Sequence, residues 1–282
     1  MTRLTEAGWA KINLALHVRA RRPDNYHDIE TLFAFVDGGD TLEAGISSAD
    51  TLSIAGEFAA GLSTGTDNLV LRAVALLRGR YGAARVPPLA VRLTKTLPVA
   101  AGIGGGSADA AAMARLVRRH FLPELGNAAL ARLVAPLGAD VAACIASETC
   151  LGIGTGSELV PAPEIALAGT PVLLVNPRQA VATGPVFAAW DGTDRGPLFT
   201  GADLRAQLFA ARNDLQRPAI AQCPAVAEIL TELGGLKPWL ARMSGSGATC
   251  FALFDAPAER DAAARYLKER RPQWWQMAGA LR

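Results

Sequence analysis

Histidine and cysteine are too few and too scattered in this chain to build a metal cluster. The histidines are His17, His27 and His120, and the cysteines Cys144, Cys150, Cys223 and Cys250 include no CxxC pair. A disulfide scaffold is not expected in a chain of 282 residues. Each thiol stands among apolar or small residues and is expected to be free and buried. An excess of one charge is missing as well. A net charge of +2 is too near zero for a nucleic-acid or anionic-membrane partner, and neither is expected. No run reaches eighteen apolar residues, which argues against a membrane span. Lys11 and Asn13 interrupt the early apolar run, against a signal peptide, so a cytoplasmic protein is expected. Aromatics make up only 6 % while alanine is plentiful, which predicts helices packed closely through small side chains. The only lysines are Lys11, Lys95, Lys237 and Lys268, so a lysine inside a chemical motif is informative. Half of the chain is hydrophobic, enough to bury the cores of two ordinary domains.

What the chain does have is glycine, concentrated between Pro98 and Ala112 in PVAAGIGGGSADAAA. The preceding Leu89–Lys95 alternates like a half-buried strand, and Pro98 closes it. Gly102, Gly104, Gly105 and Gly106 then allow turns and close approach to a ligand. Ser107 is the expected cap of a helix from Ala108 to about His120. A glycine loop feeding a helix N-terminus offers unpaired N–H groups and a positive dipole end, which suits phosphate.

Known glycine loops can be compared residue by residue. Walker A needs a Gly-Lys pair, and none occurs here. The dinucleotide fingerprint needs a third glycine where Ser107 stands, and it belongs near the start of a domain. The protein-kinase loop lacks its HRD and DFG partners.

Elsewhere, Ala10 to Val18 alternates, placing Lys11 and Asn13 on one strand face. Arg19 to Asp28 is a turn-rich connection in which Pro23, Asp24 and Asn25 supply the turn. Separate strands are expected at Ile29–Val36, Thr41–Ile46 and Thr51–Ile54. Asp67 or Asn68 caps a helix to about Tyr81, with Leu69, Ala73, Leu76 and Leu77 on one face and Gly82 as its stop. Asn127 caps a shorter helix. Asp140, before the apolar Val141–Ala146, reads equally as a helix cap or a functional carboxylate. Gly152–Gly156 reads as a hairpin or a bulge, not as a ligand loop. Strands follow at Pro171–Val175, Ala248–Phe254 and Trp274–Ala280. Helices are expected at Asp203–Ala211, Leu215–Ile220, Ala225–Leu233 and Ala256–Glu269, with a short one led by Pro185 and carrying Phe187. The whole is an α+β protein of two domains, 1–162 and 163–282.

The glycine stretch resembles the phosphate loop of the GHMP kinases, in the longer form found in the branch acting on 4-diphosphocytidyl-2-C-methyl-D-erythritol. Other stretches resemble that branch in order and spacing. They are Ala10-Lys11-Ile12-Asn13-Leu14, Asn25-Tyr26-His27, Asp67-Asn68-Leu69, Gly138-Ala139-Asp140-Val141, Thr183 with Phe187, Asn213-Asp214-Leu215, and Met243 to Ala248. Four positions depart from the pattern: Asn25 and Ala100 each replace a glycine, Ala108 a serine and Ala142 a proline, and Asn25 tolerates the positive φ that the glycine would adopt.

The resemblance implies a GHMP kinase-like fold, with a left-handed βαβ N-terminal domain and a ferredoxin-like C-terminal domain. It implies ATP-dependent phosphorylation of the 2-hydroxyl of that cytidyl compound, in non-mevalonate isoprenoid precursor biosynthesis. Lys11 and Asp140 would be the catalytic pair, where a lysine beside the carboxylate would keep it ionised or would stabilise a developing alkoxide. Asn13, Tyr26, His27, Thr183 and Phe187 would bind the substrate. Tyr26 and Phe187 would sandwich the cytosine while His27 reads its edge. ATP would be bound by Asn68, Pro98, Val99, Ala100, Ala101, Gly102, Ile103, Gly104, Gly105, Gly106, Ser107 and Ala108. Mg2+ would accompany ATP, with Ser107 its candidate protein contact. The partner is a small molecule with a cytidine diphosphate moiety, and the chain a monomer or homodimer. Two other readings stand beside this one. One is a GHMP kinase for homoserine or mevalonate, and the other a non-catalytic nucleotide- or RNA-binding protein.

Overall fold

The computed structural model describes residues 4–162, 167–198 and 203–282. They form two compact units that are not divided in sequence order. The first gathers the described residues of Met1–Ala10 with Gly39–Val99 and Gly104–Ser147. The second gathers Lys11–Gly38, Ala100–Ile103 and the described residues of Glu148–Arg282. The boundary expected after Ala162 abuts residues 163–166, which lie outside the described residues.

Two long strands, β1 (Leu4–Arg21) and β2 (His27–Ile46), pair with each other and run through both units. β2 joins what the sequence divides at Asp37-Gly38-Gly39-Asp40. The break does not occur because these residues have partners of their own. Asp37 accepts from the Ala280 N–H at 2.7 Å, and Asp40 from those of Thr96 and Leu97 at 2.6 and 2.9 Å. Gly39 approaches Gly8 so closely that a Cβ would stand 2.0 Å from its carbonyl oxygen.

In the first unit, β3 (Thr51–Ala55), α1 (Leu69–Tyr81) and β4 (Leu89–Thr94) make a βαβ crossover, with β3 and β4 parallel and Leu52 opposite Val91. β4 pairs antiparallel with the C-terminal half of β2, Leu42 opposite Leu93. Helices α2 (Gly105–Phe121), α3 (Asn127–Val134) and α4 (Ala139–Ala146) pack with one another, and α2 and α3 also with α1. Small side chains permit this. Ala108, Ala110, Ala111, Ala112 and Ala114 of α2 are buried, as are Ala73, Val74 and Leu77 of α1. The stripe on α1 is rotated from the expected one: Val70 and Leu71 are buried, Leu69 and Leu76 only partly. Asn127 begins α3 but does not cap it; Gly126 holds the cap position.

In the second unit, β5 (Cys150–Ile153) and β6 (Glu158–Pro161) form the expected hairpin, and β5 pairs with Thr31–Phe33 of β2. A separate antiparallel sheet has the order β10-β7-β9-β8, from β7 (Pro171–Asn176), β8 (Leu240–Met243), β9 (Cys250–Leu253) and β10 (Trp275–Ala280). The helices are α5 (Thr183–Ala188), α6 (Leu204–Ala210), α7 (Gln216–Gln222), α8 (Ala225–Gly235) and α9 (Pro257–Arg270). α8 and α9 pack on this sheet, which gives the ferredoxin-like arrangement. Leu173, Val175, Val226, Ile229, Phe254 and Leu267 lie in its core. Pro185 is the third residue of α5, not the first, and loses nothing there because a first-turn N–H has no intrahelical partner. All four cysteines are buried free thiols. Among the described residues no helix is long and apolar enough to cross a membrane.

Candidate active site

The glycine stretch turns through left-handed backbone at Ala100 (φ 50°), Gly102 (φ 75°) and Gly104 (φ 64°). At Gly102 a side chain has no room: a Cβ would stand 2.4 Å from the Ser244 carbonyl oxygen. The Ser244 hydroxyl donates to the Gly102 carbonyl at 2.8 Å and accepts from the Asn13 N–H at 3.0 Å. The Lys11 N–H donates to the Ile103 carbonyl and the Thr249 N–H to that of Ala101, both at 3.1 Å. Asn213 secures the Ser244 turn by donating to the carbonyls of Met243 and Gly245, each at 2.8 Å. Within the second unit, residues 100–103 are thus held between β1 and the 244–249 turn.

From Gly104 onward the stretch belongs to the first unit. α2 begins at Gly105, so Ser107 is its third residue and not its cap. Gly104 holds the cap position and no side chain caps the helix. The Ala108 N–H is bonded to the Gly104 carbonyl at 2.8 Å. The N–H groups of Gly105, Gly106 and Ser107 precede the first intrahelical bond and point out of the helix end. Unpaired N–H groups at a helix N-terminus suit an anion. Pro98 is buried and Val99 exposed just before it.

Beside Gly105 lies a buried ionic cluster that sequence reasoning missed. Lys95 Nζ contacts Asp40 Oδ2, and Asp109 Oδ2 at 2.8 Å. A Cβ on Gly105 would stand 3.0 Å from that ammonium. Asp109 Oδ1 is buried with no hydrogen-bond partner, and burial pushes its carboxyl up to about 7 against the pull of Lys95. The available signal was Lys95 itself, a rare lysine at the end of an alternating strand.

Asn68 caps α1, as expected. Its Oδ1 accepts from the Val70 N–H at 2.9 Å, and its Nδ2 donates to the Ser63 carbonyl at 2.7 Å. Asp140 does not cap α4. Gly138 occupies the cap position, and Asp140 is a partly buried residue of the first turn. Ala142 continues the helix.

In the second unit the polar face of β1 is not solvated but buried, with Lys11 4 %, Asn13 2 % and His17 2 % exposed. Lys11 Nζ donates to Asn13 Oδ1 at 3.0 Å and lies 4.9 Å from the centre of the Phe33 ring. Asn13 Nδ2 donates to the Thr31 hydroxyl, which donates to the Ala15 carbonyl, each at 2.7 Å. Asn13 is therefore held rigidly beside the ammonium.

Between β1 and β2, Asn25 adopts φ 66°, the conformation that a glycine would supply. Tyr26 is 66 % exposed, whereas His27 is buried. The His27 ring is 5.1 Å from that of Phe187 and 5.8 Å, edge-on, from that of Trp190. Trp190 was not anticipated from sequence; its Nε1 is buried without a hydrogen-bond partner. Burial, and secondarily the Arg21 charge, hold the His27 imidazole below its ordinary value. Thr183 and Ser246 share a hydroxyl–hydroxyl bond of 2.9 Å, a link between α5 and the 244–249 turn.

Residues 68–148 match the family model for the GHMP kinases N terminal domain, and residues 201–273 that for the GHMP kinases C terminal. A protein of Sphingopyxis alaskensis named 4-diphosphocytidyl-2-C-methyl-D-erythritol kinase is 75 % identical over 99 % of each chain. One of the same name from Novosphingobium aromaticivorans is 54 % identical over 99 % of this chain and 93 % of its own. A crystal structure of 4-(cytidine 5'-diphospho)-2C-methyl-D-erythritol kinase superposes with a TM-score of 0.80 at 31 % identity, covering 98 % of each chain. The mevalonate kinase of Methanococcus jannaschii, at 10 % identity and a TM-score of 0.70 over 100 % of this chain and 98 % of its own, shares the fold. The chain belongs to the GHMP kinase family, with the 4-diphosphocytidyl-2-C-methyl-D-erythritol kinases as its relatives over nearly its full length.

Proposed function

We propose that this protein transfers the γ-phosphoryl group of ATP to the 2-hydroxyl of 4-diphosphocytidyl-2-C-methyl-D-erythritol, a cytoplasmic step of non-mevalonate isoprenoid precursor synthesis. The observation that carries this reading is the set of outward N–H groups at the start of α2, in a chain 75 % identical to a protein of that name. Phosphoryl transfer needs a phosphate cradle, neutralisation of charge and an oriented hydroxyl. Gly105, Gly106 and Ser107 supply the cradle. Asp140 accepts the proton of the substrate hydroxyl, and the Lys11 ammonium neutralises the oxygen as the proton leaves. Asn13, held by Lys11 and Thr31, orients the acceptor. Asn68 stands by the adenine. Tyr26 and Phe187 stack on the cytosine, His27 reads its edge, and Thr183 contacts the substrate.

Mg2+ is assigned with the ATP. The Ser107 hydroxyl, in the first turn of α2, is a hard oxygen donor of the kind that Mg2+ takes alongside phosphate oxygens and water. When bound, the ion neutralises charge on the β- and γ-phosphates.

The test is phosphate transfer from Mg·ATP to the cytidyl compound, with mevalonate and homoserine as parallel acceptors. Transfer to the cytidyl compound alone is the expected outcome. Transfer to either other acceptor discards the cytosine pocket, and transfer to none returns the chain to the binding-protein reading.

A further inference from the structure

Arg21, the last residue of β1, stands outside every role assigned above, yet it touches both sides of the proposed base pocket. Its Nε donates to His27 Nε2 at 3.4 Å, and one terminal nitrogen donates to the Ala188 carbonyl at 3.0 Å. Ala188 is the last residue of α5 and follows Phe187, whose ring lies against His27. A guanidinium can only donate. His27 Nε2 must therefore accept, and a neutral imidazole that accepts at Nε2 carries its proton at Nδ1. Trp190 closes the edge of the same ring, and neither it nor Phe187 brings a charge. Arg21 is the charged group whose field reaches His27, and with burial it keeps the ring neutral.

We infer that Arg21 is a positioning residue for base recognition: it fixes His27 in the Nδ1–H tautomer, so that the ring meets the ligand as a hydrogen-bond donor, and it ties that ring to the helix carrying Phe187. A donor at Nδ1 suits a pyrimidine edge that presents a ring nitrogen or carbonyl acceptor. The inference rests on the cytosine-pocket reading and adds the group that gives the pocket its polarity.

Two variants separate the hydrogen bond from bulk. In Arg21→Gln the amide nitrogen occupies the place of Nε and still donates. In Arg21→Met a methyl group stands there. Nitrogen-15 NMR of the free full-length protein should show His27 protonated at Nδ1 in the wild type and in Arg21→Gln. In Arg21→Met that preference should be lost and the His27 pKa should rise. Calorimetric titration with CDP should show Kd raised about tenfold in Arg21→Met, the scale of one hydrogen bond, and largely restored in Arg21→Gln. KM for ATP serves as the internal control, because a merely structural defect would move it as well. His27 protonated at Nε2 in the wild type overturns the inference, as does an Arg21→Met variant that matches the wild type in tautomer and CDP affinity. Wild-type protein that ignores CDP sinks the cytosine-pocket reading, and with it the use assigned to Arg21; the NMR result on free protein is independent of that outcome.

Discussion

One methyl group works against its own backbone in the glycine stretch. Ala100 is held at φ 50°, a region where a Cβ crowds the following carbonyl and costs about 1–2 kcal/mol. Ala100→Gly relieves that strain, offset in part by the greater freedom of glycine in the unfolded chain, for a net gain of about 0.5–1 kcal/mol. Thermal unfolding should show a Tm higher by about 1–3 °C; an unchanged or lower Tm contradicts the strain. Asp140 is the second residue-scale case. Its sequence allowed a helix cap, and the structure removes that use by giving the cap position to Gly138. Asp140→Asn should lower kcat by roughly 10²–10⁴, the scale of general acid–base catalysis, with the fold intact by circular dichroism. Near-normal turnover would remove the assigned role.

At the scale of elements, the loop and its helix were legible in order but not in register. The glycines and the alanine-rich helix behind them stand out locally. That α2 reaches back to Gly105, and that Lys95, paired with Asp40 and Asp109, lies beside it, was not legible locally. That Gly102 must be glycine depends on Ser244, 142 positions away. Gly102→Ala therefore meets two obstacles, a positive φ and the Ser244 carbonyl. It should destabilise the protein by about 1–3 kcal/mol and raise KM for ATP more than KM for the cytidyl substrate. Equal effects on both would show that the loop does not serve ATP in particular.

At the scale of the molecule, acid should weaken the fold through a buried histidine. His17 Nε2 accepts from the Arg212 N–H at 3.2 Å, which leaves Nδ1–H to donate to the Gly196 carbonyl at 3.1 Å. Burial, with Arg212 second, lowers the His17 pKa below 6.5. A group whose folded pKa is depressed contributes stability above its unfolded value, and that stability is lost as pH falls toward the folded value. Stability should therefore fall as pH drops below about 6.5, the ordinary histidine value, and His17→Gln should flatten that slope. The paired comparison isolates His17 from Asp109, whose raised pKa acts in the opposite sense between the ordinary carboxylate range and about 7. Parallel slopes in urea titrations of the two proteins would show that His17 is not the sensor.

Nearly every helix and strand was legible in the sequence, because alternation, alanine runs, turn residues and glycine spacing are local properties. It showed Lys11 and Asn13 on one strand face but not whether that face met water. Tertiary structure decided that the face is buried, with Asn13 shared between Lys11 and Thr31. It also decided the single course of β2 through Asp37–Asp40, the Lys95 cluster, and the setting of His27 among Arg21, Phe187 and Trp190. A common cause runs through all four: at least one partner of these polar groups lies on another element, and burial makes such a partner obligatory.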